Sequence, residues 1–171
     1  IFDIYWLFQS TFLAVNTIRV YRKLSEAKKV NWHQKMIDLK SPIYPDLVMA
    51  IILVHYKESY ELVDRSLKSY AESDFHLNKI IFIMASEQRN ETEAKEIFVK
   101  LKAKYGLKFK DFVQTMHPDN LPGEIRGKSA NETWAGKWLK EYCDKNNLIY
   151  SQVLLNNFDA DTRVYPQYFS H

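Results

Sequence analysis

Two continuous apolar runs frame this chain. Residues 47–54 read Leu-Val-Met-Ala-Ile-Ile-Leu-Val, and residues 80–85 read Ile-Ile-Phe-Ile-Met-Ala. Runs without polar alternation mark strands buried on both faces. Between them Leu62, Val63, Leu67, Tyr70 and Ala71 recur at helical spacing, with Ser59 placed to cap the start. Asn90, with Glu93 three residues on, predicts a boxed helix start ahead of Ala94, Ile97, Phe98 and Leu101, and Gly106 is placed to close that helix. A shorter strand is predicted over residues 111–116. Ser129 with Glu132 repeats the capping spacing before Trp134, Trp138, Leu139 and Tyr142, and a last buried strand runs through Val153, Leu154 and Leu155. Strands alternating with helices predict an α/β fold, a mostly parallel sheet flanked by helices.

Residues 1–20 form an apolar segment of another kind. Asp3 is the only charge before Arg19, but Gln9, Ser10, Thr11, Asn16 and Thr17 interrupt the run. A membrane span needs roughly 20 apolar residues, so the segment is marginal. Arg19, Arg22, Lys23, Lys28 and Lys29 then face only Glu26, a basic cluster of the sort found at a cytoplasmic membrane face. An amphipathic helix packed on its own domain fits the same residues. A basic leader and a small-residue cleavage site, the marks of a signal peptide, are absent. The chain thus divides into residues 1–45, an apolar helix and basic linker, and residues 46–171, an α/β portion. With no initiator Met, and an end a few residues past its most informative motif, it reads as a fragment.

Composition narrows the function. The 171 residues suffice for one domain with a real core. A net charge of +3, with the basic residues interspersed among 21 acidic ones, gives no nucleic-acid footprint. The single cysteine, Cys143, excludes an internal disulfide and a cysteine-based zinc site.

Ligands of open parallel sheets bind at the carboxyl ends of the strands. That rule selects His55-Tyr56-Lys57-Glu58, Ser86-Glu87-Gln88-Arg89, residues 117–128, and Asn157-Phe158-Asp159-Ala160-Asp161. No GxGxxG follows the first run, and neither GxxxxGK[ST] nor GxSxG occurs, against a dinucleotide dehydrogenase, a P-loop ATPase and a serine hydrolase. Asp159 and Asp161 are two residues apart, so on an extended strand both carboxylates would project the same way. Their oxygens suit Mg²⁺ or Mn²⁺ bridging to a diphosphate, while a loop capped by the same aspartates is the plainer alternative. Arg89 and Arg126 read as exposed loop cations, His117 before Pro118 as a loop-shaping residue, and Trp134 and Trp138 as core.

Taken in order, these segments resemble family 2 glycosyltransferases of the GT-A (Rossmann-like) fold, over about residues 46 to 169. Those proteins begin with a strand ending in a Pro-x-Tyr-Asn-Glu-like turn, here His55-Tyr56-Lys57-Glu58. An acidic residue that contacts the base ends their second strand, and Glu87 is similar. A Gly-Lys and Asn element is matched by Gly127-Lys128-Ser129-Ala130-Asn131, and the metal-binding Asp-x-Asp by Asp159-Ala160-Asp161. The ending through Pro166, Tyr168 and Phe169 is similar to that of membrane-linked members. His55 stands for Pro, Lys57 for Asn, and Glu87 for the usual Asp pair, departures that bear on base and sugar preference.

The resemblance implies a nucleotide-sugar donor, most often a UDP-sugar, a Mg²⁺ or Mn²⁺ ion, and inverting transfer to a carbohydrate or lipid-linked acceptor. It makes Tyr56, Glu58, Glu87, Lys128, Asn131 and Asp159 donor-binding candidates. Tyr56 would pack on the base and Lys128 lie near base or phosphates, while Asp161, with Asp159, would hold the metal. No catalytic residue is expected within residues 1–171, because in the family the general base and acceptor site follow the Asp-x-Asp strand. Polysaccharide or glycolipid synthesis at the cytoplasmic face of the cell membrane is the implied setting, and the fragment alone is expected to be inactive. A glycosyltransferase-like interaction module without chemistry and a sugar nucleotidyltransferase are the competing classes. The latter lacks its Gly-rich basic first loop here.

Overall fold

Residues 2–42, 44–125 and 127–171 are described by a computed structural model. In chain order the elements are α1 (Phe2–Ala27), α2 (Trp32–Asp38), β1 (Val48–His55), α3 (Tyr60–Ala71), β2 (Ile80–Glu87), α4 (Glu91–Tyr105), β3 (Asp111–His117), α5 (Lys128–Lys145) and β4 (Val153–Asp159). The strands form one parallel sheet in the order β3-β2-β1-β4. Parallel neighbours need crossovers, and α3, α4 and α5 supply them.

Side chains alternate across each strand and separate two cores. On one face, Ile51, Leu53, Phe82, Met84 and Phe112 meet Val63, Leu67 and Tyr70 of α3 and Ile97 and Leu101 of α4. On the other, Ala50, Ile52, Ile81, Ile83 and Ala85 meet Ala135, Leu139 and Cys143 of α5. β1 and β2 are covered on both sides, as their unbroken apolar sequences require.

Several local expectations are corrected. β4 continues to Asp159 and is an edge strand in this sheet, not a buried one: Leu154 and Leu155 are about half exposed, at 47% and 54%. Asn90 precedes α4, but its side chain forms no cap bond, because Nδ2 instead donates to the Tyr56 carbonyl oxygen at 2.5 Å. Gly106 keeps a right-handed φ of −54° and leads into a 3-10 turn, so no left-handed closure forms there. α5 starts one residue before Ser129. Gly127 takes the cap position, and Ser129 lies inside the first turn. Trp138 does pack on the second core, but Trp134 is only half-buried, its ring edge-on to His117 at 5.7 Å.

α1 buries none of its residues, so it is not packed on the sheet domain as an amphipathic helix would be. Phe2, Trp6, Phe8, Phe12 and Ile18 are all more than half exposed. At 26 residues it is about 39 Å long. Even so, no helix among the described residues is long and apolar enough to cross a membrane. α2 docks at the other end of the chain, where the Trp32 backbone N–H donates to Gln167 Oε1 at 2.8 Å and its ring lies against His171.

Candidate functional site

The chain leaves β1 for β2 in one direction and later crosses to β4 on the other side, so the loops after β1 and β4 diverge. Such a reversal leaves a crevice at the carboxyl ends of the strands. A cleft of about 540 Å³ lies there, lined by Tyr56 and Glu58 after β1, Glu87 at the end of β2 with Arg89 just beyond, Gly127 and Lys128 at the start of α5, and Asp159 at the end of β4 with Ala160 and Asp161 following. Two other recesses of the sheet domain are comparable or smaller: an apolar groove of about 530 Å³ beside β4, and one of about 410 Å³ at the amino ends, lined in part by Asn78, Lys79 and Lys110. The carboxyl-end cleft differs from both in gathering acids, bases and a helix start at the topological switch point.

The first wall is fixed by the β1–α3 turn. Glu58 Oε2 accepts the backbone N–H groups of Tyr56 at 2.7 Å and Lys57 at 3.2 Å. With the Asn90 bond to the Tyr56 carbonyl, both backbone polar groups of Tyr56 are tied down. The buried His55 places Nε2 at 2.9 Å from the Glu58 carbonyl oxygen, closing the turn beneath. Ser59 caps α3, accepting from the Leu62 N–H.

Across the cleft floor, Glu87 is buried at the end of β2. Arg89 donates to its Oε2 through both Nε, at 2.9 Å, and Nη2. The guanidinium carbon also sits 4.6 Å from the centre of the Tyr56 ring, a cation–π distance. The carboxylate's hydrogen bond is the main reason the Arg89 guanidinium is held even more firmly protonated than usual. Sequence reasoning set Arg89 aside as a loop cation. The 3-10 turn at Gln88–Asn90, which folds it back on Glu87 and Tyr56, has no composition signal of its own.

Lys128 and the aspartates form the far wall. Lys128 Nζ pairs with Asp159 Oδ1 and lies 3.5 Å from Glu132 Oε1, and its pKa is raised first by the bond to Asp159. Asp159 is the last residue of β4. Ala160 and Asp161 turn away, with the Thr162 N–H returning to the Asp159 carbonyl oxygen at 3.0 Å, so the two carboxylates do not share one extended strand. The turn is braced from α3: Ser66 Oγ donates to the Ala160 carbonyl oxygen at 2.7 Å and Tyr70 Oη to that of Thr162 at 2.8 Å. Burial, then the negative charge of Asp161, pushes the Tyr70 phenol upward, so it remains a donor.

Of the expected residues, Tyr56, Glu58, Glu87, Lys128, Asp159 and Asp161 line the cleft together. Asn131 does not: it is fully buried beneath, and its Nδ2 donates to the Ala85 carbonyl oxygen at 2.8 Å, pinning α5 to β2. His117 ends β3 with Nε2 at 3.0 Å from Glu124 Oε2, while Arg126 falls outside the described residues.

The donor set tests the implied metal. Asp159 and Asp161 offer two exposed hard-oxygen ligands on the cleft wall, and no group of three or more ligating side chains occurs among the described residues. This fits Mg²⁺ or Mn²⁺ completed by phosphate and water better than an ion caged wholly by protein. Lys128 and the free N–H groups at the start of α5 add positive potential beside them. Comparison with protein-family models and with curated proteins gives no match.

Gly127 explains how α5 reaches the cleft. Its φ of +156° with ψ of −177° belongs to a region that side-chain-bearing residues avoid. A Cβ there would meet no atom within 4 Å, so only backbone strain opposes one. Gly127→Ala is expected to lose about 1–3 kcal/mol in urea unfolding. The control, Gly136→Ala inside α5, also meets no atom within 4 Å and should gain up to about 1 kcal/mol.

Proposed function

We propose that this chain is the donor-binding portion of a glycosyltransferase of the GT-A type, taking a nucleotide-diphosphate sugar for inverting transfer. The observation that carries the reading is the shared cleft: Tyr56, Glu87 and Arg89 at one end, Lys128, Asp159 and Asp161 at the other. β2 and β4 flank β1, so their ends are separated by two strand spacings, about 10 Å. An aromatic and acidic end suits a base, and a basic end beside a helix start suits a diphosphate.

In this reading Glu87 accepts from the base, Tyr56 supports it, and Lys128 with the first turn of α5 binds the phosphates. Glu58 acts indirectly, by holding the Tyr56 loop. Transfer moves negative charge onto the departing diphosphate, so preorganised cations at that point lower the barrier. Asp159 and Asp161 would hold a divalent ion, which when bound supplies further charge neutralisation there.

α1 supports a membrane-linked setting, at the cytoplasmic face, in polysaccharide or glycolipid synthesis. Its exposed aromatic and aliphatic side chains precede Arg19, Arg22 and Lys23, an arrangement that lies on an anionic bilayer with the apolar part immersed.

Calorimetric titration with UDP and UDP-sugars tests the donor site. Binding is expected to be weak without metal and at least about tenfold tighter with Mn²⁺, a gain of about 1.4 kcal/mol. Asp159→Asn/Asp161→Asn should abolish the metal-dependent gain while leaving the thermal midpoint within a few degrees. Absence of binding by the folded chain would refute the assignment. For α1, flotation with vesicles containing phosphatidylserine should carry the protein upward, and Trp6→Ser/Phe8→Ser/Phe12→Ser should leave it in the lower fractions. Equal flotation of both proteins would remove the membrane reading.

A further inference from the structure

Two roles of the cleft meet at Lys128. Its Nζ pairs with Oδ1 of Asp159, and the same ammonium lies 3.5 Å from Oε1 of Glu132, one turn further along α5. Side-chain exposure is 51% for Lys128 and 62% for Asp159, so both groups are already hydrated and their attraction is weak. A divalent ion on this wall needs the same atoms. Asp159 and Asp161 supply the hard oxygens, and an ammonium on Oδ1 takes up one of them and sets a like charge beside the rest. Glu132, less exposed at 23%, gives the ammonium a second carboxylate within reach of the same side chain. Lys128 therefore has two acidic partners, and only one of them is needed for a metal.

We infer that Lys128 is an exchangeable counter-cation of Asp159, which opposes binding of a divalent ion until a phosphate draws the ammonium away. The inference rests on the nucleotide-diphosphate reading above and adds to it a regulation of the same site. A phosphate oxygen takes over the ammonium, with Glu132 as its remaining protein partner, and the oxygens of Asp159 are released to the ion. A divalent ion alone is then disfavoured, while nucleotide and ion assist one another. Linkage makes that assistance equal in both directions. The exposure of the pair is what permits the exchange, because a buried charge could not be left behind so cheaply.

The test titrates the whole chain with Mn²⁺ alone, reading free ion by electron paramagnetic resonance, and with UDP alone by calorimetry. Losing an exposed ion-pair partner shifts an equilibrium by about two- to fivefold, so Lys128→Gln should bind Mn²⁺ tighter by that factor. The same variant should bind UDP more weakly. Opposite signs for the two ligands are the expected signature, since a poorly folded variant would lose both. Lys128→Arg keeps the positive charge and should leave Mn²⁺ affinity within about twofold of wild type. Lys57→Gln removes the same charge from the neighbouring turn, where the side chain lies over the Tyr56 ring, and should also stay within about twofold. Mn²⁺ affinity unchanged or lowered in Lys128→Gln, or undetectable in both proteins, would overturn the inference. So would an equal gain in Lys57→Gln, which would reduce the effect to net charge. Metal-dependent UDP binding by the wild type beside any of these results would leave the proposed function standing. Failure of UDP to bind with or without Mn²⁺ would overturn the inference and the proposed function together.

Discussion

Parallel pairing of β1 on both its edges positions everything at the cleft. Val54 is level with Asp159 on one side and with Ala85 on the other, so Asp159 and, two residues further along β2, Glu87 emerge at the same end of the sheet. That register is enforced by burial. A one-residue slip would turn Ile51 and Leu53 towards α5 and Ala50 and Ile52 towards α3 and α4, exchanging the side chains offered to two differently shaped cores. Because parallel strands need crossovers and the order reverses beside β1, the crevice follows from the same pairing.

The cleft is then an electrostatic problem solved in pairs. Glu87 is matched by Arg89 and Asp159 by Lys128, so neither acid faces the crevice without a cation nearby. The pairs are not equivalent. Lys128 and Asp159 are largely exposed, so their attraction is screened and easily exchanged for another ion or a phosphate. Glu87 and Arg89 are less exposed and braced by Tyr56, which makes them a fixed pair rather than an exchangeable one. Stiffness at one end and exchangeability at the other suit the proposed ligand, held at its base while its diphosphate departs from the sugar.

Much of this was legible in the chain. β1 and β2 follow from unbroken apolar runs, and the rule that ligands of parallel sheets bind at the carboxyl ends of the strands points to the segments bearing Tyr56, Glu87, Lys128 and Asp159. Errors arose where one signal serves two ends. Leu154 and Leu155 look like core, but β4 lies at the edge of this sheet, and apolarity alone does not distinguish the two positions. Asn90 and Ser129 both carry capping spacing, yet Asn90 is drawn to Tyr56, and Gly127 starts α5 earlier. Asn131 lies one helical turn from Lys128 but faces the sheet, a difference of helix phase that a short motif does not encode. Arg89 reads as a plain loop cation because its pairing depends on a three-residue turn and on two partners, Glu87 at the end of β2 and Tyr56 after β1.

The central claim is that the carboxyl-end cleft, and not another recess of the fold, receives a nucleoside diphosphate. A heteronuclear NMR titration of the ¹⁵N-labelled chain with UDP and Mg²⁺ addresses it directly. The account predicts that amide shifts concentrate at Tyr56, Glu87, Gly127, Lys128 and Ala160, with the amides around Lys79 and Lys110 unmoved. Shifts centred on Lys79, Lys110 and Asn147 at the amino ends of the strands, or no shifts at saturating UDP, would contradict it.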